Sequence, residues 1–289
     1  MKPFREHENL KGFFIYVTSK ESVFARTWKV CEMVKVREMD IELYRNYANL
    51  LEAGSEPRWR YDETKPCGAN FKSALCAWCY DGFHQKFRDY EAESRKIIGS
   101  LGVGSNGTLI DMGCGTGAFT IYAVSYYSKV YAVDVFKAML NRARKKARKA
   151  GLDNVEFHLG GFLTYEHKAQ PVDALVSTFA LHHLPDFWKM VGLMRLAQML
   201  KTEGRLYIRD IVFSFEQVDY ESCIEKFIES MTQRTGPQTR QALETHISRE
   251  YSTYGWIMEG LLDKAGFEIE TANYKDGFFA EYVCTKRTE

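Results

Sequence analysis

The chain has 289 residues, of which 45% are hydrophobic and 27% charged, and its formal net charge is +1. This is enough apolar sequence for a sizeable core, which excludes a wholly disordered protein. The near-neutral charge gives no global case for binding nucleic acid, and no apolar run is long enough to span a bilayer.

The first hundred residues show no alternation of strands and helices. Two segments, ELYRNYANLLEAG and YDGFHQKFRDYEAESRKIIGSLG, have the apolar spacing of amphipathic helices that end at a glycine. We therefore predict an N-terminal extension and helical cap over residues 1–100, and a second domain over residues 101–289.

Cys76 and Cys79 form a C-x-x-C pair in this first region. No second pair and no suitably spaced histidine accompanies it, so the sequence predicts no metal site. The seven cysteines form no dense framework, and their odd number argues against a fully paired secreted scaffold. We expect reduced thiols in a cytoplasmic protein, since the charged N-terminus also lacks the pattern of a signal peptide.

From Gly107 to about Phe213, short apolar runs alternate with helical patterns. The strand-like runs are TLIDM, KVYAVDV, NVEFHL, DALVSTF and RLYIRDIVF. The helical patterns between them are AFTIYAVSYY, FKAMLNRARKKARKAG, a short piece over 162–167, and DFWKMVGLMRLAQMLKTEG. Gly151 and Gly204 stand where two of these helices would end in a left-handed cap. The alternation predicts βαβ units and a doubly wound parallel sheet with helices on both faces.

The pattern changes after Phe213. The polar stretch at about 214–251 predicts a helical insertion, and a further helix is expected from about Tyr254 to Ala265. Two strand-like runs, FEIETANY and FFAEYVCTK, follow and are joined by a Lys-Asp-Gly turn signal. Such a hairpin makes the last strand antiparallel. The predicted fold is therefore α/β, a doubly wound, Rossmann-like, mostly parallel seven-stranded sheet with an antiparallel last strand, preceded by the helical cap.

The first strand runs into DMGCGTG, a glycine-rich turn ahead of a helix. Such a turn lets a ligand approach backbone N–H groups at the carboxyl edge of the sheet. Asp134 ends the second strand, where its carboxylate can accept hydrogen bonds from both hydroxyls of a ribose. These features predict a nucleoside-containing cofactor. Asp111, two residues before the first glycine, would repel the phosphates of a dinucleotide and suits a ligand with a positively charged amino group.

The D-x-G-x-G-x-G arrangement followed by VYAVDV resembles the class I methyltransferases that depend on S-adenosyl-L-methionine (SAM), and the later segment STFALHHLP resembles those that act on small molecules. The resemblance covers about residues 105–213 closely and the terminal hairpin loosely. It implies that Asp111 orients the amino group of SAM and that Asp134 holds the ribose hydroxyls. It also implies cofactor contacts for a set of turn and strand-end residues: Gly113, Gly115, Gly117, Val135 and Phe136.

Many members of this family carry an acid in the loop after the third strand, where its carboxylate binds the adenine amino group. This sequence has Gly161 at that position, in HLGGFL, so the side-chain contact is missing. We expect backbone groups at Gly161 and Phe162 to replace it. The segment after the fourth strand would pass beneath the methionine end of the cofactor, which makes Thr178 and Phe179 candidates for contact.

Catalytic residues are harder to predict, because a sulfonium methyl group needs an aligned acceptor more than it needs a base. His182 and His183 follow the fourth strand, and each is either structural at a helix entry or acts on the acceptor. Tyr80, His246 and Asp210 are further candidates. The cap and the insertion would form the acceptor pocket, with aromatic and polar residues that either line it or only pack on the sheet: Tyr61, Asp62, Tyr251, Tyr254 and Trp256.

Motifs for methylating nucleic-acid bases are absent after the fourth strand, and the basic side chains of KAMLNRARKKARKAG are expected in solvent. The predicted activity is transfer of the SAM methyl group by in-line displacement to oxygen, nitrogen or carbon of a small-molecule acceptor, with no nucleic-acid partner. The alternatives are a non-catalytic SAM-binding module or partner subunit, and an NAD(P)-dependent oxidoreductase, against which Asp111 argues. The acceptor and the oligomeric state stay open.

Overall fold

The computed structural model describes residue 57 and residues 59–68, 72–73, 81–82 and 88–288. The chain divides into two compact units, Met1–Arg60 and Tyr61–Glu289, and every element named below belongs to the second. The first predicted cap helix, Tyr80 and the pair Cys76 and Cys79 lie outside the described residues. The four cysteines that the structure describes are free thiols.

A twisted sheet forms the centre of the unit. Its strands are β1 (Thr108–Met112), β2 (Lys129–Asp134), β3 (Val155–Leu159), β4 (Val172–Thr178), β5 (Leu200–Phe213), β6 (Thr253–Tyr254), β7 (Phe267–Lys275) and β8 (Phe279–Lys286). Seven of them form the order β3-β2-β1-β4-β5-β8-β7, and the two-residue β6 pairs with the end of β5. The β1, β2, β3, β4 and β5 pairings are parallel, whereas β8 is antiparallel to both of its neighbours. The predicted α/β fold with its antiparallel last strand is confirmed.

Helices cover both faces of this sheet. They are α1 (Tyr90–Leu101), α2 (Thr120–Ala123), α3 (Lys137–Lys149), α4 (Asp186–Met199), α5 (Tyr220–Thr235), α6 (Gln238–Arg249) and α7 (Gly255–Lys264). Two short 3-10 helices, Leu181–His183 and Gln217–Asp219, precede α4 and α5. Within the described residues, no helix is long and apolar enough to cross a membrane.

The apolar side chains form separate cores on the two faces. Ile110 and Leu175 pack on one face with Leu196 of α4, in the cluster that also contains residues of α7. Leu109 packs on the other face with Leu101 of α1, in the cluster that includes α2. Because side chains alternate along a strand, Leu109 and Ile110 point to opposite faces, and a strand buried on both faces is a continuous apolar run.

Two of the predicted helix boundaries are wrong, for local reasons. The long helix expected up to Gly102 is interrupted at Asp89, whose extended backbone and carboxylate cap the start of α1 by accepting from the N–H groups of Glu91 and Ala92. Gly151 has the expected left-handed φ of 67°. Gly204 does not cap a helix, because α4 ends at Met199 and the chain passes directly into β5.

Candidate active site

Three glycines shape the turn between β1 and α2, with φ angles of 76°, 55° and 76° at Gly113, Gly115 and Gly117. A Cβ atom at Gly113 would overlap the side chain of Ala180, which follows β4. A Cβ atom at Gly117 would lie 3.0 Å from the Cβ of Ala143 on α3. At Gly115 the nearest such contact is 3.9 Å away. The turn therefore packs tightly at its two ends and leaves open space in its middle.

The carboxylate of Asp134 is held by two backbone donors. The N–H of Gly115 donates to Oδ2 and the N–H of Phe136 donates to Oδ1, each at 2.8 Å. Burial raises the pKa of Asp134 to about 6, although these donors act in the opposite direction. A carboxylate offers about four acceptor positions, so both oxygens can accept further donors such as ribose hydroxyls.

Asp111 is 1% exposed and accepts a hydrogen bond from the hydroxyl of Thr120. Burial raises its pKa to about 7, and the charge of Asp134 adds to this effect although the bond from Thr120 opposes it. A buried ionised carboxylate requires a cation or several donors. The turn therefore suits a nucleoside that carries an ammonium group, and it does not suit a phosphate near Asp111.

A cavity of about 370 Å³ opens at this turn, at the carboxyl edge of the parallel strands. Gly117 lies outside the cavity wall and supports the turn through its packing on α3. The other predicted cofactor residues all line the cavity: Asp111, Gly113, Gly115, Asp134, Val135, Gly161, Phe162 and Thr178.

The loop after β3 contains a feature that the sequence did not indicate. A Cβ atom at Gly161 would lie 2.5 Å from Oε2 of Glu63 and 2.6 Å from Cγ1 of Val135. The Glu63 carboxylate accepts from the N–H of Leu163, at 3.1 Å to Oε1, and from the hydroxyl of Thr164 at 2.7 Å. Burial raises the pKa of Glu63 against these bonds. A carboxylate from a distant segment thus fills the space where Gly161 lacks a side chain.

His182 lies in the 3-10 helix between β4 and α4 and is paired with two carboxylates. Its Nδ1 is bonded to Asp210 Oδ1, while Asp210 Oδ2 accepts from the backbone N–H groups of Leu181 and His182. Its Nε2 lies 3.3 Å from Oε2 of Glu250. Burial alone would lower the pKa of His182, but the two carboxylates outweigh burial and raise it to about 9.

Glu250 links His182 to His246. Its Oε2 is also bonded to Nδ1 of His246, whose Nε2 lies 2.8 Å from the hydroxyl of Ser252. Burial opposes ionisation of Glu250, but the two imidazoles outweigh it and hold its pKa well below the usual value. Glu250 was not predicted, although its spacing of four from His246 at the end of a helix is the one local sign of the contact.

His183 has a different environment from its neighbour. Its Nδ1 lies 3.4 Å from Sγ of Cys67, and its backbone carbonyl accepts a bond from the hydroxyl of Tyr61 at 3.0 Å. Burial and the charge of His182 lower the pKa of His183 to about 3. The histidine pair therefore consists of one charged and one neutral ring at neutral pH.

Three of the predicted catalytic candidates thus converge on one cavity wall, since His182, His183 and His246 all line it with Glu250. Nitrogens of His182 and His183 and an oxygen of Glu250 lie within 4.8 Å of one another, a spacing that could hold a metal ion. Within the described residues, these donors already bond to carboxylates, a thiol or imidazoles, as given above. The absence of a metal site stays a prediction.

The cavity extends from the strand ends to the two helices of the 214–251 segment. Phe179, at the end of β4, has a strained φ of 54°. The guanidinium groups of Arg88 and Arg209 lie over its ring, at 4.9 and 5.1 Å from the ring centre. Side chains of α5 and α6 complete this end of the wall: Phe227, Met231, Thr235, Thr239, Ala242 and Leu243.

The aromatic residues that the sequence offered for the acceptor pocket lie outside the cavity wall. Tyr61 packs edge-on against Tyr251 at 6.2 Å between ring centres. Tyr254 packs on Phe213, and Trp256 is 66% exposed. Of these contacts, the one between Tyr61 and Tyr251 lies next to Glu250.

Known proteins are similar to this chain in sequence and fold. A family model described as a methyltransferase domain matches residues 104–271. An uncharacterized methyltransferase of Bacillus mycoides (strain KBAB4) is 29% identical over 210 residues, covering 70% of this chain and 92% of the relative.

Two solved structures show the same fold at low sequence identity. A SAM-dependent methyltransferase from Aquifex aeolicus has a TM-score of 0.50 and 21% identity, covering 67% of this chain and 89% of that chain. The other is magnesium protoporphyrin IX methyltransferase from Synechocystis PCC 6803 with bound SAH (S-adenosylhomocysteine). It has a TM-score of 0.54 and 16% identity, covering 75% of this chain and 98% of that chain.

The matched range covers more than half of the chain and includes the glycine turn, Asp134 and the histidine pair. The seven-stranded sheet with its antiparallel β8 agrees with this match. The chain therefore belongs to the methyltransferase domain family.

Proposed function

We propose that this enzyme transfers the methyl group of SAM by in-line displacement to an oxygen, nitrogen or carbon of a small-molecule acceptor. One observation carries the proposal, namely that a single cavity reaches from the glycine turn to the side chains of α5 and α6. An acceptor bound against those helices would share one cavity with the cofactor. Alignment of the two reactants and exclusion of water supply most of the rate enhancement that such a displacement needs.

SAM supplies a methyl group on a positively charged sulfur. Asp111 would bind the ammonium group of the cofactor, because that carboxylate is buried beside the glycine turn. Asp134 would accept hydrogen bonds from the ribose hydroxyls, and Val135 with Phe136 would pack on the base. Gly115 would leave room for the cofactor, since a side chain there would occupy the open part of the turn.

The acceptor end of the cavity favours a largely apolar molecule with one polar group. Phe179, Phe227 and Phe279 present aromatic surface to the cavity, and Met231 adds a side chain that adapts to irregular ligands. His183 and Glu250 are polar groups of the same wall. We assign them to bind the polar group of the acceptor, next to the methyl donor.

The two groups would act differently. His183 is neutral above about pH 3, so its ring can accept a hydrogen bond from the acceptor throughout the physiological range. Glu250 stays ionised and would attract a donor hydroxyl or ammonium group. His182 and His246 position Glu250 through their bonds to it, and Asp210 fixes the ring of His182.

The proposal is tested with SAM that carries a labelled methyl group. The protein is incubated with a small-molecule extract of cells, and labelled products are sought by mass spectrometry. Asp111→Asn should abolish most of the labelling, whereas the matched variant Asp153→Asn, at an exposed residue, should not. Tight binding of SAH without any transfer would favour the non-catalytic module. Binding of NAD(P) in place of SAH would overturn the proposal.

A further inference from the structure

We propose that Glu63 accepts the hydrogen bond from the adenine amino group of the cofactor and so replaces the acid that Gly161 cannot provide. This inference rests on the proposed function and adds a residue that determines which nucleoside the site selects. Its evidence is the position of the Glu63 carboxylate, which comes from a loop 100 residues before the loop that it contacts.

The first argument is steric. The Oε2 atom of Glu63 lies 2.5 Å from the place that a Cβ atom of Gly161 would take. Two groups cannot share that space, so a side chain at 161 and the Glu63 carboxylate exclude each other. Gly161 leaves this loop without an acid of its own, and its missing side chain leaves the space that the Glu63 carboxylate occupies.

The second argument concerns hydrogen-bonding capacity. Oε1 accepts from the Thr164 hydroxyl, at 2.7 Å, and both oxygens lie near the single N–H of Leu163, at 3.1 and 3.2 Å. Of the roughly four acceptor positions of a carboxylate, these donors leave at least one for a ligand. The same bonds fix the orientation of the carboxylate before any ligand binds, which reduces the entropy lost on binding.

The third argument is the location of the carboxylate in the wall. Glu63 lines the cavity together with Val135, Phe136 and Gly161. Asp134, which directly precedes Val135, is the proposed ribose ligand, so the base would lie against the residues that follow it. Glu63 is close enough to Asp134 for the two charges to repel each other, and a ligand that donates hydrogen bonds to both acids would relieve this repulsion.

The chemistry predicts a specific preference. A carboxylate attracts the amino group of adenine, but it repels the carbonyl oxygen that hypoxanthine carries at the same position. A site built to bind an N–H donor rejects analogues that lack it more strongly than an apolar pocket can. The enzyme should therefore bind S-adenosylhomocysteine more tightly than S-inosylhomocysteine, and Glu63 should be the cause.

The test is isothermal titration calorimetry of both nucleosides with the full chain and with Glu63→Ala and Glu63→Gln. We expect the unsubstituted protein to prefer the adenosine compound by about tenfold or more, as for a hydrogen bond to a charged group. In Glu63→Ala this ratio should fall close to one, and Glu63→Gln should also reduce it. Glu166→Ala removes an exposed carboxylate from the loop after β3 and should leave the ratio unchanged.

The ratio of the two affinities distinguishes recognition of adenine by Glu63 from a purely structural role of Glu63 in the loop. If Glu63 only held Leu163 and Thr164 in place, its removal would weaken both ligands equally and preserve the ratio, and the inference would be wrong. That outcome would leave the proposed function intact, because the adenosine compound would still bind. Failure of the unsubstituted protein to bind either nucleoside would overturn the proposed function and this inference together.

Discussion

Glu250 lies between two imidazole rings, with its Oε2 atom 3.3 Å from Nε2 of His182 and bonded to Nδ1 of His246. His182 is bonded in turn to Asp210, so two carboxylates and two imidazoles form one buried chain at the cavity wall. The side chains of His182 and Glu250 are each 6% exposed, and a charge in such a place is stable only with its partner present.

Glu250→Gln should therefore destabilise the protein at neutral pH. Removal of one partner leaves the charge of His182 with Asp210 alone, and loss of one partner from a buried pair typically costs about 3 to 5 kcal/mol. Thermal unfolding of the variant and the parent at pH 7 measures the loss. Glu244→Gln changes an exposed acid on α6, the helix that Glu250 directly follows, and should leave the melting temperature nearly unchanged.

The difference in stability between the parent protein and Glu250→Gln should depend on pH with a definite sign. The pKa of His182 is raised to about 9, so its stabilising effect is complete below its unfolded pKa near 6.5 and is lost as pH rises through 9. The pKa of Glu250 is lowered, so its effect is present above about 4.5 and is lost in acid. The gap between parent and Glu250→Gln should be largest from about pH 5 to 7 and narrow above pH 9. A stability gap that widens as pH rises from 7 to 10 would show that His182 is not the charged partner.

The sequence predicted the central sheet well because buried parallel strands are short apolar runs, and the runs TLIDM and DALVSTF are of this kind. It also placed Asp111 and Asp134 at strand ends, where they line the cavity. Such inferences need only local patterns.

Glu63 and Glu250 could not be found in the same way. Glu63 binds a loop that lies 100 residues later in the chain, and the residues around Glu63 form no recognisable motif. Glu250 lies beside His182 where the N–H of Tyr251 donates to the backbone carbonyl of His182 at 2.8 Å. Contacts of this kind depend on how distant segments pack, which periodicity does not report.

Asp111→Asn should weaken SAH binding by about 1 to 3 kcal/mol at pH 8, since an amide cannot neutralise the ammonium group in a buried site. In the free protein the pKa of Asp111 is raised to about 7, so its effect on folding is stabilising below about pH 4 and is lost as pH rises through 7. A bound ammonium group has the opposite effect on the pKa of Asp111, because it stabilises the ionised form of this carboxylate.

The increase in melting temperature caused by SAH should therefore grow from pH 6 to pH 8 in the parent. Differential scanning fluorimetry across this range measures it. In Asp111→Asn the increase should be smaller and should keep only the weaker slope due to Asp134, whose pKa is raised to about 6. Equal slopes in both proteins would exclude Asp111 as the ammonium ligand.

A comparison of Gly115→Ala with Gly102→Ala distinguishes the effect of backbone strain on stability from the effect of a side chain on cofactor binding. Both glycines have left-handed φ angles, 55° and 63°, and no atom lies within 3.9 Å of either absent Cβ. Each substitution should cost about 1 to 2 kcal/mol of stability for the left-handed conformation. Only Gly115→Ala should also weaken SAH binding, by about tenfold or more, which calorimetry measures. Equal affinities would mean that the cofactor does not approach the turn at Gly115.

The activity should survive metal chelators. Nε2 of His182, the nitrogen that faces Glu250, carries a proton at neutral pH because the pKa of the ring is raised to about 9, and a metal would have to displace that proton. Dialysis against a chelator should leave the melting temperature and methyl transfer unchanged, and elemental analysis should find less than stoichiometric zinc. A stoichiometric metal whose removal lowers the melting temperature would assign His182, His183 and Glu250 to a metal site instead.

Lys189 does not line the cavity, but it contacts the segment that carries Glu250. It is 2% exposed, and its Nζ donates to Asp186 at 2.7 Å and to the backbone carbonyl of Tyr251. Lys189→Met would leave that carbonyl without its donor, which costs about 1 to 3 kcal/mol. The 250–253 segment would then shift, so kcat/KM for the acceptor should fall while SAH affinity stays the same. Lys201→Met, which removes a half-exposed ion pair with Asp173, should change neither quantity. Unaltered kcat/KM in Lys189→Met would show that the position of Glu250 does not depend on this contact.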